Sequence, residues 1–153
     1  MTNKTDEIAA KVEATLIHQS VKRIALGLGS ILLIDFGSAE IGQLADSVPP
    51  RPYMRVECAW RLENKDRVLV ASEDPREAMQ TSLDILRSGV VREVGVTLPG
   101  FDLRISFDSG QVLLIFPVYA DNDDYENWTI QTTTNEDIVS GPGRRIQIIP
   151  SNG

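Results

Sequence analysis

The chain holds one cysteine, Cys58, and one histidine, His18, among 153 residues. A lone cysteine cannot close an intramolecular disulfide, and without a Cys/His set there is no zinc site to assemble. Basic residues are the minority, 15 Lys and Arg against 22 Asp and Glu, for a formal net charge of −7 and a pI near 4.7. Nucleic acid and anionic membranes bind through clustered Lys and Arg, so neither is an expected partner, whereas a cationic protein is. Long apolar runs are missing too. The stretch from Ile24 to Ile34 follows Lys22 and Arg23, but it is far short of the roughly 20 residues that cross a bilayer. It lies far from Met1, contains Gly27 and Gly29, and ends in Asp35 without a small-residue cleavage site. It therefore reads as buried strands, not as a signal peptide, and a reducing cytoplasm is the expected location.

Catalytic signatures are equally scarce. No G-x-S-x-G elbow accompanies His18, which is expected near the end of a short helix, so a Ser/His/Asp triad is not expected. Cys58 alternates with Val56 and Trp60 on an apolar face, which marks a buried thiol and not a nucleophile. Gly27, Gly29, Gly141 and Gly143 are followed by no Gly-Lys-Ser/Thr and read as turn residues. Arg144 and Arg145 are too few basic charges for nucleic acid.

What the chain does have is a pattern that occurs twice. Leu32, Ile34, Phe36, Ser38 and Ile41 align with Leu103, Ile105, Phe107, Ser109 and Val112, and each copy runs on to a Trp-apolar pair, Trp60 with Leu62 and Trp128 with Ile130. With 42% apolar residues, residues 1–153 suffice for a single domain that buries about two thirds of its unfolded surface. The expectation is an α+β fold, mainly antiparallel β, in which related β units over 21–62 and 91–130 are linked by a helix over 74–88.

Periodicity fills in the elements. Ile8, Val12 and Leu16 predict an amphipathic helix over 6–19, capped by Thr5 or Asp6. Val21 to Leu28 and Ile31 to Phe36 predict strands about a turn at Gly27 to Ser30. Apolar Ile31 and Leu33 on the second strand's other face predict cover on both sides. SVPPRP, Ser47 to Pro52, predicts a loop, and Val56 to Leu62 a half-buried strand forming a hairpin with Arg67 to Ala71. Asp74 is placed to cap a second helix with Pro75 in its first turn, Glu77 completing a capping box, Met79, Leu83 and Leu86 facing inward, and Gly89 ending it. Strands are then expected at Val91 to Val96, Leu103 to Phe107, Gln111 to Phe116, Trp128 to Thr133 and Arg145 to Ile149, with turns at Pro99-Gly100 and Asp108 to Gly110. A loop from Tyr119 to Asn127 and one ending in Gly141-Pro142-Gly143 separate the last strands.

The FDSG turn, the apolar strand after it, the acidic loop and the run Tyr125, Glu126, Asn127, Trp128 together resemble a family of small uncharacterised bacterial proteins that share a Phe-Asp-x-Gly turn followed by a Glu-x-Trp strand. The resemblance covers roughly Val91 to Ile130, with an echo in the first copy, where Gly37 follows Phe36. Small, acidic, β-rich proteins of this kind are often immunity partners encoded beside secreted bacterial toxins. The resemblance thus implies a non-catalytic immunity or inhibitor protein that neutralises a cationic toxin or nuclease domain by direct binding. The residues expected at that interface are Asp121, Asp123, Asp124, Tyr125 and Glu126. Asp121, Asp123 and Glu126 lack the EF-hand spacing and central glycine, so neither metal nor cofactor is expected. Trp60 and Trp128, matched across the repeat, read as core residues, each indole needing a partner. The alternative function is a small hydrolase whose Asp and Glu residues come together from distant positions, a pair that sequence does not identify. Self-association is left open.

Overall fold

A computed structural model of the chain describes residues 3–38, 51–118, 120, 121, 124 and 126–151. The first helix, α1 (Lys4–Leu16), is capped by Asn3, whose side chain accepts from the Asp6 amide at 2.9 Å. Thr5 is not the cap; its hydroxyl donates to the same Asn3 oxygen. The helix ends before Gln19 because His18 turns the chain with a left-handed φ of 65°. Ile8, Ala9, Val12 and Leu16 form its buried stripe, the spacing that puts apolar side chains on one face.

Strands β1 (Gln19–Leu26), β2 (Leu32–Ser38) and β3 (Tyr53–Val56) follow as an antiparallel meander, and β4 (Ala59–Glu63) and β5 (Val68–Ala71) form a hairpin. Then come α2 (Arg76–Leu83), a 3-10 turn at Asp84–Leu86, and a second meander of β6 (Val91–Thr97), β7 (Asp102–Phe107) and β8 (Val112–Phe116). The chain closes with β9 (Trp128–Gln131), β10 (Glu136–Ser140) and β11 (Ile146–Pro150). The fold is α+β, with one sheet ordered β1-β2-β3-β9-β10-β11 and the other β5-β4-β8-β7-β6, every pairing antiparallel.

Read from β6, the five-strand order matches the first five strands of the six-strand order, with β11 added at its end. Each half lays a three-strand meander into one sheet, crosses over, and adds its next strands to the meander of the other half, β4 and β5 from the first half and β9, β10 and β11 from the second. The correspondence holds residue by residue. Leu32, Val56 and Trp128 sit abreast in one sheet as Leu103, Ile115 and Trp60 do in the other, and Ile34, Met54 and Ile130 match Ile105, Leu113 and Leu62. The first strand of each meander carries a bulge at the same place, between Val21 and Arg23 and between Val91 and Glu93. His18 and Ser88 both have left-handed φ, 65° and 66°, and donate reciprocally, His18 N to Val91 O and Ser88 N to Val21 O. α1 packs on β6 and β11, and α2 on β5 and β1. One hydrophobic cluster takes in both sheets, both helices, and the fully buried Trp60 and Trp128.

Several sequence expectations are corrected here. The run Val56 to Leu62 is not one strand: the Glu57 and Cys58 amides both donate to Asn127 O, and the chain changes sheets between β3 and β4. Asp74 does not cap α2; its carboxylate accepts from the Ala71 amide in the turn before, Pro75 takes the cap position, and no side chain caps the helix. The turn ends at Leu86, with Ser88 rather than Gly89 in the left-handed conformation. The stretch before Gly141 contains strand β10, where a loop was expected. Leu33 and Ile31, expected to be covered on the outer face of β2, are only half-buried. Val112 stands opposite Ser106 as Tyr53 stands opposite Asp35, so Tyr53 is its partner in register. Ile41 and most of SVPPRP lie outside the described residues.

Gly141 makes the β10–β11 turn possible. Its φ is +93°, and a Cβ there would meet the Asn127 amide nitrogen at 2.9 Å. Gly29, at φ +60°, has nothing within 4 Å of the same added atom. Gly141→Ala should therefore cost about 2 kcal/mol or more in urea unfolding, against about 1 kcal/mol for Gly29→Ala, where only backbone strain is added. Equal losses would show that the Asn127 backbone yields to the extra methyl.

Candidate functional site

The halves differ where they cross between sheets. Glu57 and Cys58 alone join β3 to β4, whereas residues 117–127 join β8 to β9. That longer crossover is the acidic loop. Asp121, Asp124 and Glu126 are exposed in it; Asp123 and Tyr125 lie outside the described residues. Asp121 pairs with Arg144 Nη2 at 2.9 Å, with side chains 82% and 73% exposed. A pair so open to water contributes about 0–1 kcal/mol. Glu126 accepts from the Thr129 hydroxyl at 2.6 Å.

The loop's far end is fixed by Asn127, which is 5% exposed. Its amide donates to Ser140 O, its carbonyl receives the Glu57 and Cys58 amides, and its side-chain Nδ2 donates to Ser140 Oγ and Gly143 O. A buried polar side chain is tolerable only when bonded this fully, so Asn127 ties the acidic loop, the opposite crossover and the β10–β11 turn together.

Beside this knot lies a cleft of about 490 Å³. Its walls are the β6–β7 turn, with Gly100, Phe101 and Asp102, and the β10–β11 turn, with Gly143 and Arg144; Val118, 60% exposed, stands at the loop side. Phe101 has φ 58° and its carbonyl accepts the Trp128 indole N–H at 3.2 Å. Sequence reasoning read Pro99-Gly100 and Gly141-Pro142-Gly143 as turns and did not bring them together. Asn127, one residue beyond the acids, was the available signal, a polar residue abutting a core tryptophan.

The remaining titratable groups are dispersed. Asp35 faces Tyr53 across the outer side of the first sheet; burial pushes its carboxyl up, partly offset by the Arg23 guanidinium at 3.5 Å. Burial also raises Tyr53. A hydrogen bond from Lys11 holds the Glu136 carboxyl below its usual range. Among the described residues no group of three or more His, Cys, Asp or Glu side chains is placed to hold a metal ion. His18 sits at the α1–β1 turn, its backbone bonded to β6. No helix among the described residues is long and apolar enough to cross a membrane.

Set against protein-family models, curated proteins and solved structures, the chain finds no match.

Cys58 is 7% exposed, and burial pushes its thiol up to about 12. At pH 8 it is therefore protonated in the folded protein, and a thiol-specific disulfide reagent should react only as fast as urea unfolds the chain. Full labelling of the native protein within minutes would place the thiol at the surface.

Proposed function

We propose that the protein is a non-catalytic binding protein that neutralises a cationic protein partner, in the manner of a bacterial immunity protein acting on its toxin in the cytoplasm. The observation that carries this reading is the asymmetry of the crossovers. The first half shows that the fold can change sheets through Glu57 and Cys58 alone, so residues 117–127 are more chain than the frame needs. Long connections on a rigid scaffold are where binding function concentrates. This one carries Asp121, Asp123, Asp124 and Glu126, and the net charge of −7 adds to its field. Acids so placed steer a cationic partner and stand in for the charge of its anionic substrate. The FDSG turn and the Glu-Asn-Trp strand resemble a family of small uncharacterised bacterial proteins, and small, acidic, β-rich proteins of this kind often serve as immunity partners.

The test begins with the reading frame next to this chain's gene. Its product should arrest growth when expressed alone and be silenced by co-expression of this protein. Replacing Asp121, Asp123 and Asp124 with Asn and Glu126 with Gln should slow association at low salt about tenfold or more and flatten its salt dependence. The midpoint of thermal unfolding should stay put, since these exposed pairs contribute little to folding. A loss confined to the on-rate puts the loop at the rim, and a large rise in the off-rate puts it at the centre. Unchanged kinetics in the neutralised variant would move the interface elsewhere.

A further inference from the structure

The two halves finish one equivalent corner differently. In the first half, Arg76 at the start of α2 closes the turn between β1 and β2. Its Nη1 donates to Gly27 O and Gly29 O, both at 2.8 Å, and its Nη2 to Leu26 O at 3.3 Å. Behind the turn the Trp60 indole donates to Ser30 O at 2.8 Å. The second half repeats this frame. The Trp128 indole donates to Phe101 O, the matching carbonyl of the β6–β7 turn, and Ser140 lies beside Trp128 as Ser72 lies beside Trp60. An arginine follows each serine at the same spacing, Arg76 after Ser72 and Arg144 after Ser140.

There the likeness ends. The chain after Ser140 turns into β11 instead of a helix, and Arg144 pairs with Asp121 of the acidic loop. The space against the β6–β7 turn is left as the 490 Å³ cleft. Asp102, Arg144 and Arg145 are its charged lining residues, and Asp102 places a carboxylate where the first half has Ile31.

We infer that this cleft receives an arginine side chain of the protein partner, its guanidinium taking on the β6–β7 turn the place that Arg76 takes on the β1–β2 turn. Arg76 is in effect a resident example of the ligand. A planar guanidinium can donate to several carbonyls in different directions at once, which a lysine ammonium does less well and a neutral urea does without charge. Asp102 supplies a charge-assisted acceptor that the sealed corner lacks. Asp121 of the crossover loop pairs with Arg144, which lines the cleft, so the loop's charge would draw a cation toward it. The inference rests on the binding-protein reading for the source of the arginine, but the site itself rests on the comparison of the halves.

The probe is Nα-acetyl-arginine methylamide, titrated into the ¹⁵N-labelled full chain. The readouts are the two indole N–H resonances and the amides of Phe101 and Asp102. Saturable shifts at Trp128, Phe101 and Asp102 are expected, with a Kd on the order of millimolar as befits one isolated side chain. Trp60, behind Arg76, should not move. The lysine analogue should bind several-fold more weakly and the citrulline analogue at least about tenfold more weakly. Asp102→Asn should weaken the arginine probe about threefold or more. Arg76→Ala should open the first corner, so that Trp60 responds to the probe as well.

No saturable shift up to about 50 mM probe would overturn the inference. So would equal movement of both indoles in the unmodified protein. Binding seen only in Arg144→Ala would also overturn it, because Arg144 would then be filling the cleft itself. The two readings separate cleanly: a saturable response in a protein that protects against no toxin supports the cleft and removes the immunity role, while protection without a response does the reverse.

Discussion

Two seams of backbone hydrogen bonds hold this molecule together, β3 to β9 in one sheet and β4 to β8 in the other. Each seam joins the halves of the chain, and each carries a tryptophan, Trp128 opposite Val56 and Trp60 opposite Ile115. Without them each half would be a three-strand meander with a bare edge and a detached hairpin, an arrangement that is marginal in water and prone to pair with other chains. The indoles secure the seams from within. Each is fully buried and donates its N–H to a carbonyl in a turn of the facing sheet's meander, Ser30 for Trp60 within the first half and Phe101 for Trp128 within the second. A buried N–H left unbonded costs on the order of 1–3 kcal/mol, so the turn conformations are coupled to the core.

That coupling explains which parts of the frame repeat and which are free to differ. Val21 and Val91 beside the two bulges and both helix stripes lie in the shared core, His18 and Ser88 bond to the backbone of that valine pair, and all of these features occur twice. The connections outside the core do not. Phe107 returns through the tight turn Asp108–Gly110 to Gln111, while Phe36 returns through a far longer stretch to Pro52. The crossover is short in the first half and long in the second. Lengthening a surface connection costs only about 0.6 kcal/mol for each doubling, so the frame tolerates such additions where they leave the seams alone.

The sequence showed its core positions more readily than its sheet boundaries, and Val56 to Leu62 illustrates why. Val56, Cys58, Trp60 and Leu62 are all buried, as strict alternation requires. Both sheets face the same core, so the alternation continues unbroken while the chain passes from one to the other; only the Asn127 carbonyl, distant in sequence, marks the crossing. Strand β10 was hidden for a related reason, because its Glu136 and Asp137 open it with charge and its buried Ile138, Val139 and Ser140 are too short a run to announce a strand. Asp74 looked like a helix cap, yet the Ala71 amide competed for its carboxylate and won. Among the site residues, the acids were legible as charge. The cleft beside them was not, since it joins turns at Gly100 and Gly143 that only the strand order brings together.

An internally matched frame supplies its own control for reading function. Where both halves do the same thing, the common cause is folding: the tryptophan–carbonyl bonds and reciprocal backbone bonds serve the core in both places. Where one half does more than the other, the shared strand order does not require it, because the other half reaches the matching order without it. Residues 117–127, the Asp121–Arg144 pair, Asp102 and the open space against the β6–β7 turn are all additions or omissions of this kind, and they lie together at one corner. Charge is added there and an arginine plug is withheld there. Both departures fall at the corner where Arg144, placed as Arg76 is in the first half, pairs with Asp121 of the crossover, so the second half finishes this corner by a route of its own.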